Sequence, residues 1–280
     1  MRIWWKRASR SGLSFRARAI GSSVAIGVAS LAGLPVLASA TSTVINPLYT
    51  SGAYGYDVSW PNCSTVPEIS GASVSFDIVG IGDGRPFTSS PCASQEYSTA
   101  TNSNSITPSL YYNTGYAGAY GRDILSVCTN NVSGAVDSTF SELKGHALSQ
   151  AEQAWEIGCS EAEYGFSHAP GKASFWWADV ETGNSWSTNT KLNQYTIDGM
   201  SYAMNVMNKV NNSVVGGGIY SNVGSWIKLT GSSSWAPTPP AATWVASGTC
   251  GTTSFAGSTP AVVQNSFSGV SGNVDVDMAC

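Results

Sequence analysis

Acidic residues recur where short extended segments would aim them in a common direction. Phe175-Trp176-Trp177-Ala178-Asp179-Val180-Glu181 carries two of them, Tyr54-Gly55-Tyr56-Asp57-Val58-Ser59-Trp60 one, and Val274-Asp275-Val276-Asp277 two more. Side chains alternate along a strand, so Trp177, Asp179 and Glu181 face one way while Trp176, Ala178 and Val180 face the other. Carboxylates grouped beside flat rings are what glycosidic bond cleavage needs. One acid protonates the leaving oxygen, others stabilise cationic character at the sugar carbon or activate water, and the rings bind sugar faces. Like charges and burial raise one pKa so that a proton is held at neutral pH. The same acids could instead form a divalent-cation site or cap loops. A structural ion-pair network would want basic partners, and after the Trp177 strand the first Lys or Arg is Lys191.

Positioning these acids requires a scaffold of strands. Eight candidates stand out: Gly55 to Val58, Val74 to Ile81, Ser109 to Asn113, Phe175 to Val180, Val214 to Tyr220, Thr243 to Ala246, Ala261 to Gln264 and Val274 to Asp277. Ser141 to Ile157 has Leu143, Ala147, Ala151, Ala154 and Trp155 on one helical face, and Leu192 to Val210 repeats the pattern with Tyr195, Gly199, Tyr202, Val206 and Val210. Strands alternating with helices over about 230 residues predict an α/β fold, a (β/α)₈ TIM-type barrel. The helices after strands one, six and seven are weak in the sequence, which predicts a distorted barrel. Active sites of this fold lie at the C-terminal rim of the strands. Strands one and eight are neighbours in a closed barrel, so Asp57 and Asp275 are expected to meet there.

Composition narrows the class. The 280 residues are 42% hydrophobic and only 11% charged, which fits a folded core and argues against disorder. No basic stripe offers a footprint for nucleic acid. Arg2, Lys6, Arg7, Arg10, Arg16 and Arg18 precede an apolar run from Ala19 to Leu37 that ends in Ala38-Ser39-Ala40. This predicts a secretory signal peptide over residues 1–40, rather than a membrane anchor, since Gly27, Gly33 and Pro35 interrupt the run. Residues 41–53 read as a short loose leader and residues 54–280 as one domain, secreted, without stable membrane insertion and acting as a monomer. Past residue 40 there are seven basic against 17 acidic residues, a formal −10. All six cysteines, Cys63, Cys92, Cys128, Cys159, Cys250 and Cys280, lie in that part. No pair has CxxC spacing, so a disulfide framework is expected rather than zinc. A Cys63–Cys280 bridge would tie the two ends of the domain together.

In order and spacing, Asp57-Val58-Ser59, Asp179-Val180-Glu181, Gly218-Ile219-Tyr220-Ser221, Trp244-Val245-Ala246, Val263-Gln264-Asn265 and Val274-Asp275-Val276-Asp277 resemble the strand motifs of family 25 glycoside hydrolases, the lysozyme-type muramidases. The resemblance spans nearly all of residues 54–280. It implies a barrel with an acidic groove that cleaves the β-1,4 bond between N-acetylmuramic acid and N-acetylglucosamine in peptidoglycan. It also implies Glu181 as general acid, Asp179 as its partner, and Asp57 and Asp275 as flanking carboxylates. Two segments depart from the pattern. A Lys-Ala-Thr-Glu-Gly-like second strand is replaced by Val79-Gly80-Ile81-Gly82-Asp83-Gly84-Arg85-Pro86, and a Tyr-His-Phe third strand by Leu110-Tyr111-Tyr112-Asn113-Thr114-Gly115. The substrate-shaping loops therefore differ. A non-catalytic carbohydrate-binding or envelope protein on the same barrel fits the sequence as well.

Trp177, Tyr111, Tyr220, Trp244 and Trp60, together with Asp277, are the expected saccharide contacts. No cofactor or metal is called for. The Gly80-x-Gly82-x-Gly84 run lacks GxGxxG spacing and a following helix start, and so reads as a rim loop rather than a phosphate cradle. The two histidines, His146 and His168, fit surface or cap roles; no HExxH or Gly-x-Ser-x-Gly accompanies them. Asn131-Val132-Ser133 and Asn211-Asn212-Ser213 are glycosylation sequons, informative only in a host that uses them.

Overall fold

The computed structural model describes residues 48–60, 62–63, 68–69, 73–103, 106–116, 121, 123–131, 146–210, 213–265, 270–271 and 274–280. The expected signal peptide, residues 141–145 of the expected first helix and the Asn211 sequon lie outside them.

Eight strands close into a barrel: β1 (Tyr54–Val58), β2 (Val74–Gly80), β3 (Ser109–Asn113), β4 (Trp176–Asp179), β5 (Gly217–Ser221), β6 (Ala242–Ala246), β7 (Val262–Asn265) and β8 (Asp275–Ala279). Neighbours from β1 through β7 pair in parallel. The last strand departs from the all-parallel expectation, because β8 runs antiparallel to both β7 and β1. Residues 266–274 are too few for a crossover, which needs a dozen residues or more, so the chain turns back as a hairpin. The α-helices are α1 (Ala93–Ser103), α2 (His146–Ser167), α3 (Thr190–Tyr202) and α4 (Val223–Thr230), with a short helical turn at 126–131. Among the described residues no α-helix follows β1, β6 or β7, as the weak periodicity there predicts.

The strands bury both faces, which is why they read as near-continuous apolar runs. Inside the barrel Phe76, Ile78, Phe175, Trp177, Ala242, Trp244, Val262 and Ala279 form one cluster. The opposite faces, among them Val58, Val79, Leu110, Trp176, Val180 and Ile219, pack under the helices with Trp155, Ile197 and Met200. Trp177 fits because β5 presents Gly218 to it; a Cβ there would lie 2.3 Å from the Trp177 ring.

Helix α2 runs ten residues beyond the expected Ile157, and α3 stops at Tyr202 instead of Val210. A π turn over Ala203–Met207 ends it, where the Asn205 side chain accepts the Gly217 N–H at 2.9 Å, and Lys209–Val210 then pairs with Ser213–Val214. The two helices meet backbone to backbone. A Cβ on Gly158 would sit 1.8 Å from the Thr196 carbonyl oxygen, and one on Gly199 would sit 2.0 Å from that of Trp155. Gly158→Ala must therefore push the helices apart. The expected cost is about 1–3 kcal/mol, a loss of ~2–12 °C in Tm by thermal denaturation; an unchanged Tm would contradict this crossing.

The cysteines pair as Cys63–Cys92, Cys128–Cys159 and Cys250–Cys280, which replaces the expected Cys63–Cys280 bridge. Each bridge closes a loop of about 30 residues, worth about 3.6 kcal/mol on chain-entropy grounds. The first ties the loop after β1 to the start of α1, and the third ties the loop after β6 to the end of β8. Residues 48–53 are not loose, as the leader reading had them. Gly52 N–H donates to the Ala279 carbonyl at 2.9 Å, and Tyr49 stacks on Phe76 with ring centroids 4.1 Å apart. The Tyr49 hydroxyl hydrogen-bonds Ser109, so this aromatic closes the N-terminal end of the barrel.

Candidate active site

Asp179 ends β4 on the inward face. The Val180 N–H donates to the Tyr220 carbonyl at 2.9 Å, so the extended pairing continues one residue past the strand and Val180 buries itself in the outer layer. Alternation then returns Glu181 to the same side as Asp179. Behind it, Trp186 Nε1 donates to the Glu181 carbonyl at 2.7 Å and fixes the turn. On the other side of the rim Asp57 of β1 lies in register with Asp275 of β8. The antiparallel direction of β8 produces this. Asp275 opens the strand rather than closing it, and only thereby stands level with the C-terminal ends of the parallel strands. Asp275 is exposed, and Asp57, Asp179 and Glu181 are half-buried.

Three side-chain amides hold three of these carboxylates, and each has its oxygen committed elsewhere. Asn113, ending β3, accepts the Gly84 N–H at 3.1 Å and donates to Asp179 Oδ2 at 2.7 Å. Asn222 caps α4 by accepting the Ser225 N–H at 2.8 Å and donates to Glu181 Oε1 at 3.1 Å. Gln264 on β7 accepts the Tyr220 hydroxyl at 2.7 Å and donates to Asp57 Oδ2 at 2.8 Å. The committed oxygen fixes the flip of each amide, so each NH₂ must face its carboxylate. Among the described residues the one Lys or Arg ion pair is Arg85–Asp83, on the surface. The site acids are thus held by neutral donors, which position them while neutralising little of their charge.

Burial, added to by the charge of Glu181, pushes Asp179 up to about 7, against the opposing Asn113 hydrogen bond. Burial likewise pushes Asp57 up to about 7, opposed by the Gln264 hydrogen bond and reinforced by Asp275. Burial foremost, then the charges of Glu181, Asp57, Asp179 and Asp275, pushes the Tyr220 hydroxyl far above its usual range, so it remains a donor to Gln264. Among the described residues no three of His, Cys, Asp and Glu come together so as to hold a metal ion.

The expected saccharide contacts divide by depth. Tyr111 and Tyr220 are half-buried near the rim, and Trp60 is 49% exposed just beyond β1. Trp177 and Trp244 are fully buried in the barrel interior, ring centroids 5.8 Å apart, and offer no surface to a sugar. Asp277 is also fully enclosed, its Oδ1 accepting Trp244 Nε1–H at 2.7 Å. These three were expected at the groove and lie beneath it. Of the histidines, His168 follows α2 at the surface with Nδ1 on the Tyr164 carbonyl, and His146 opens α2, its side chain outside the described set. Asn113, Asn222, Gln264 and Trp186 were not singled out as site residues from sequence, although the first three stand at or just past strand ends.

No protein-family profile and no curated protein sequence matches the chain. It is similar to the catalytic domain of an endolysin from a bacteriophage of Listeria monocytogenes, at 12% identity and a TM-score of 0.39, over 82% of this chain and 94% of that one. It is also similar to the Clostridium perfringens spore cortex lytic enzyme SleM, at 15% identity and 0.48, over 84% and 68%. The modular autolysin LytC from Streptococcus pneumoniae, whose structure is also known with a synthetic peptidoglycan ligand, matches at 15% and 0.47, over 80% of this chain and 46% of its own. An acidic site at the C-terminal face of an α/β barrel is the class that fold and geometry define.

Proposed function

We propose that this protein is a secreted glycoside hydrolase that cleaves β-1,4-linked cell-wall polysaccharide, a muramidase-like activity on peptidoglycan. The observation that carries the reading is the clamped arrangement of Asp179 and Glu181 on one strand face, with Asp57 and Asp275 across the barrel rim. Glu181, two residues beyond Asp179 and past the end of β4, delivers the proton to the leaving oxygen. Asp179 beneath it retains a proton into the neutral range, so the pair has one to give. Asp57 and Asp275 supply negative charge toward the developing cation, and Tyr111, Tyr220 and Trp60 supply ring faces for the sugar. Three disulfides suit the oxidising surroundings of an exported protein.

Activity requires Asp179 protonated, a state lost as pH rises through about 7, and Asp57 ionised, a state gained as pH rises toward about 7. The pH dependence of kcat is therefore expected to be a narrow bell centred near neutrality. A flat profile between pH ~5 and ~9 would contradict both assignments. The test of the substrate is to incubate the protein with purified peptidoglycan, reduce the products with borohydride and identify the reduced sugar by mass spectrometry. N-acetylmuramitol is the expected product; N-acetylglucosaminitol would contradict the bond assignment. Saccharide binding without turnover on several glycans would favour the non-catalytic reading.

A further inference from the structure

Asp277 is the one site acid with no access to the groove, and its surroundings constrain its protonation. It sits on β8 in register with Gly55 of β1 on one side and Gln264 of β7 on the other. Its Oδ1 accepts Trp244 Nε1–H at 2.7 Å. Its Oδ2 is buried and receives no N–H or O–H. On the same inward face it lies diagonally across from Asp57, with Gly55 opposite it offering no side chain and Gln264 beside both, so the Asp57 carboxyl is the polar group placed to meet that oxygen. Two carboxyl groups can share a hydrogen bond only when one of them carries a proton. Asp57 is less enclosed and its Oδ2 already accepts the Gln264 amide, so of the two it is the one that gives up its proton first. Asp277 is fully buried with a single donor, an arrangement that favours its neutral form.

Deepening the reading of Asp57 as a glycosidase carboxylate, we propose that Asp277 is a positioning residue that stays protonated through Oδ2 and donates this hydrogen to Asp57. A chain of hydrogen bonds then runs Tyr220 to Gln264 to Asp57 from one side and Asp277 to Asp57 from below, while Trp244 holds Asp277 in place. Asp57 receives two donors, which hold its ionisation near neutrality against burial and its acidic neighbours. Burial and the charges of Asp57 and Asp275 push Asp277 well above the usual carboxylate range, in agreement. The groups facing Asp57 are Asp275 and Asp277 on β8, Asp179 of β4 with Glu181 just beyond it, Tyr220 on β5, Gln264 on β7 and Tyr111 on β3; β2 places the apolar Ile78 beside it.

Two measurements test this. In the first, the acidic limb of kcat against pH on purified peptidoglycan is compared for the wild type, Asp277→Asn and Asp277→Leu. An amide replaces the O–H donor, so Asp277→Asn is expected to hold the limb within about half a pH unit. Leucine removes the donor and should move the limb up by about one unit. Were Asp277 ionised, Asp277→Asn would remove a neighbouring negative charge and move the limb down by about a unit. That result, or an unmoved limb in Asp277→Leu, would overturn the proposal. In the second, carbon-13 NMR follows the aspartate carboxyls of the wild-type protein from pH ~5 to ~8, with the Asp277 resonance assigned by its loss in Asp277→Asn. The proposal expects the chemical shift of a protonated carboxyl throughout; a carboxylate at pH ~6 would overturn it. This readout needs neither activity nor a folded Leu variant, so it decides the protonation of Asp277 even if the glycosidase reading fails.

Discussion

Glu181→Gln is expected to lower kcat on purified peptidoglycan by ~10³-fold or more, with KM changed little and Tm held within a few degrees. Glutamine keeps the shape of the side chain and can still take the Asn222 amide on its oxygen, so the clamp at 3.1 Å survives. What it loses is the transferable proton, and general acid catalysis alone accounts for about 10²–10⁴ in rate. Because Glu181 lies beyond the end of β4, its side-chain hydrogen bond is to Asn222, and its bond to Trp186 is made by the backbone, the substitution leaves the fold's own contacts in place. A drop in kcat accompanied by a comparable fall in Tm would instead point to a structural role for this carboxylate.

Asp179→Asn is expected to move activity and stability in opposite directions. The carboxyl sits next to Glu181 with Oδ1 buried and unpartnered, and burial foremost raises it to about 7. An acid whose folded pKa lies above its unfolded value near 4 favours the native state most at low pH. That advantage is lost as pH rises from about 4 to about 7, after which the ionised form remains a burden. Asparagine has no such burden, and its oxygen can take the Asn113 donor. Tm of Asp179→Asn is therefore expected to match the wild type near pH 4 and exceed it near pH 8, while kcat falls by ~10²-fold or more because the shared proton is gone. Equal Tm differences at the two pH values would show that Asp179 does not titrate in this window. Functional sites that hold a group against its solvation preference commonly show this exchange of stability for activity.

Legibility in the sequence followed from what strand periodicity does and does not encode. Alternation along Phe175 to Glu181 was enough to put Asp179 and Glu181 on one face, and the weak periodicity after strands one, six and seven was enough to predict the missing helices. Parity says which face a side chain takes and says nothing of depth. Trp177 shares the face of Asp179 but lies two residues lower, about 6.6 Å along the strand, which takes it from rim to core. Strand direction matters in the same way. With β8 reversed, Asp275 and not Asp277 reaches the rim, and the shortness of residues 266–274 was the signal for that reversal. The clamping amides Asn113, Asn222 and Gln264 carry no periodic signature at all. Their role depends on cross-strand register and on the α4 cap, which become visible only once the barrel is closed. The disulfide partners were open for a similar reason: six cysteines allow 15 pairings, and proximity of chain ends does not select among them.

We propose that the rim carboxylates hydrolyse cell-wall glycan. Reducing ends released from purified peptidoglycan by the wild type and by Glu181→Gln, at equal concentration and neutral pH, test it most directly. Steady release by the wild type and none above background by the variant is the predicted result; equal release by both, or none by either while the glycan is bound, would contradict it.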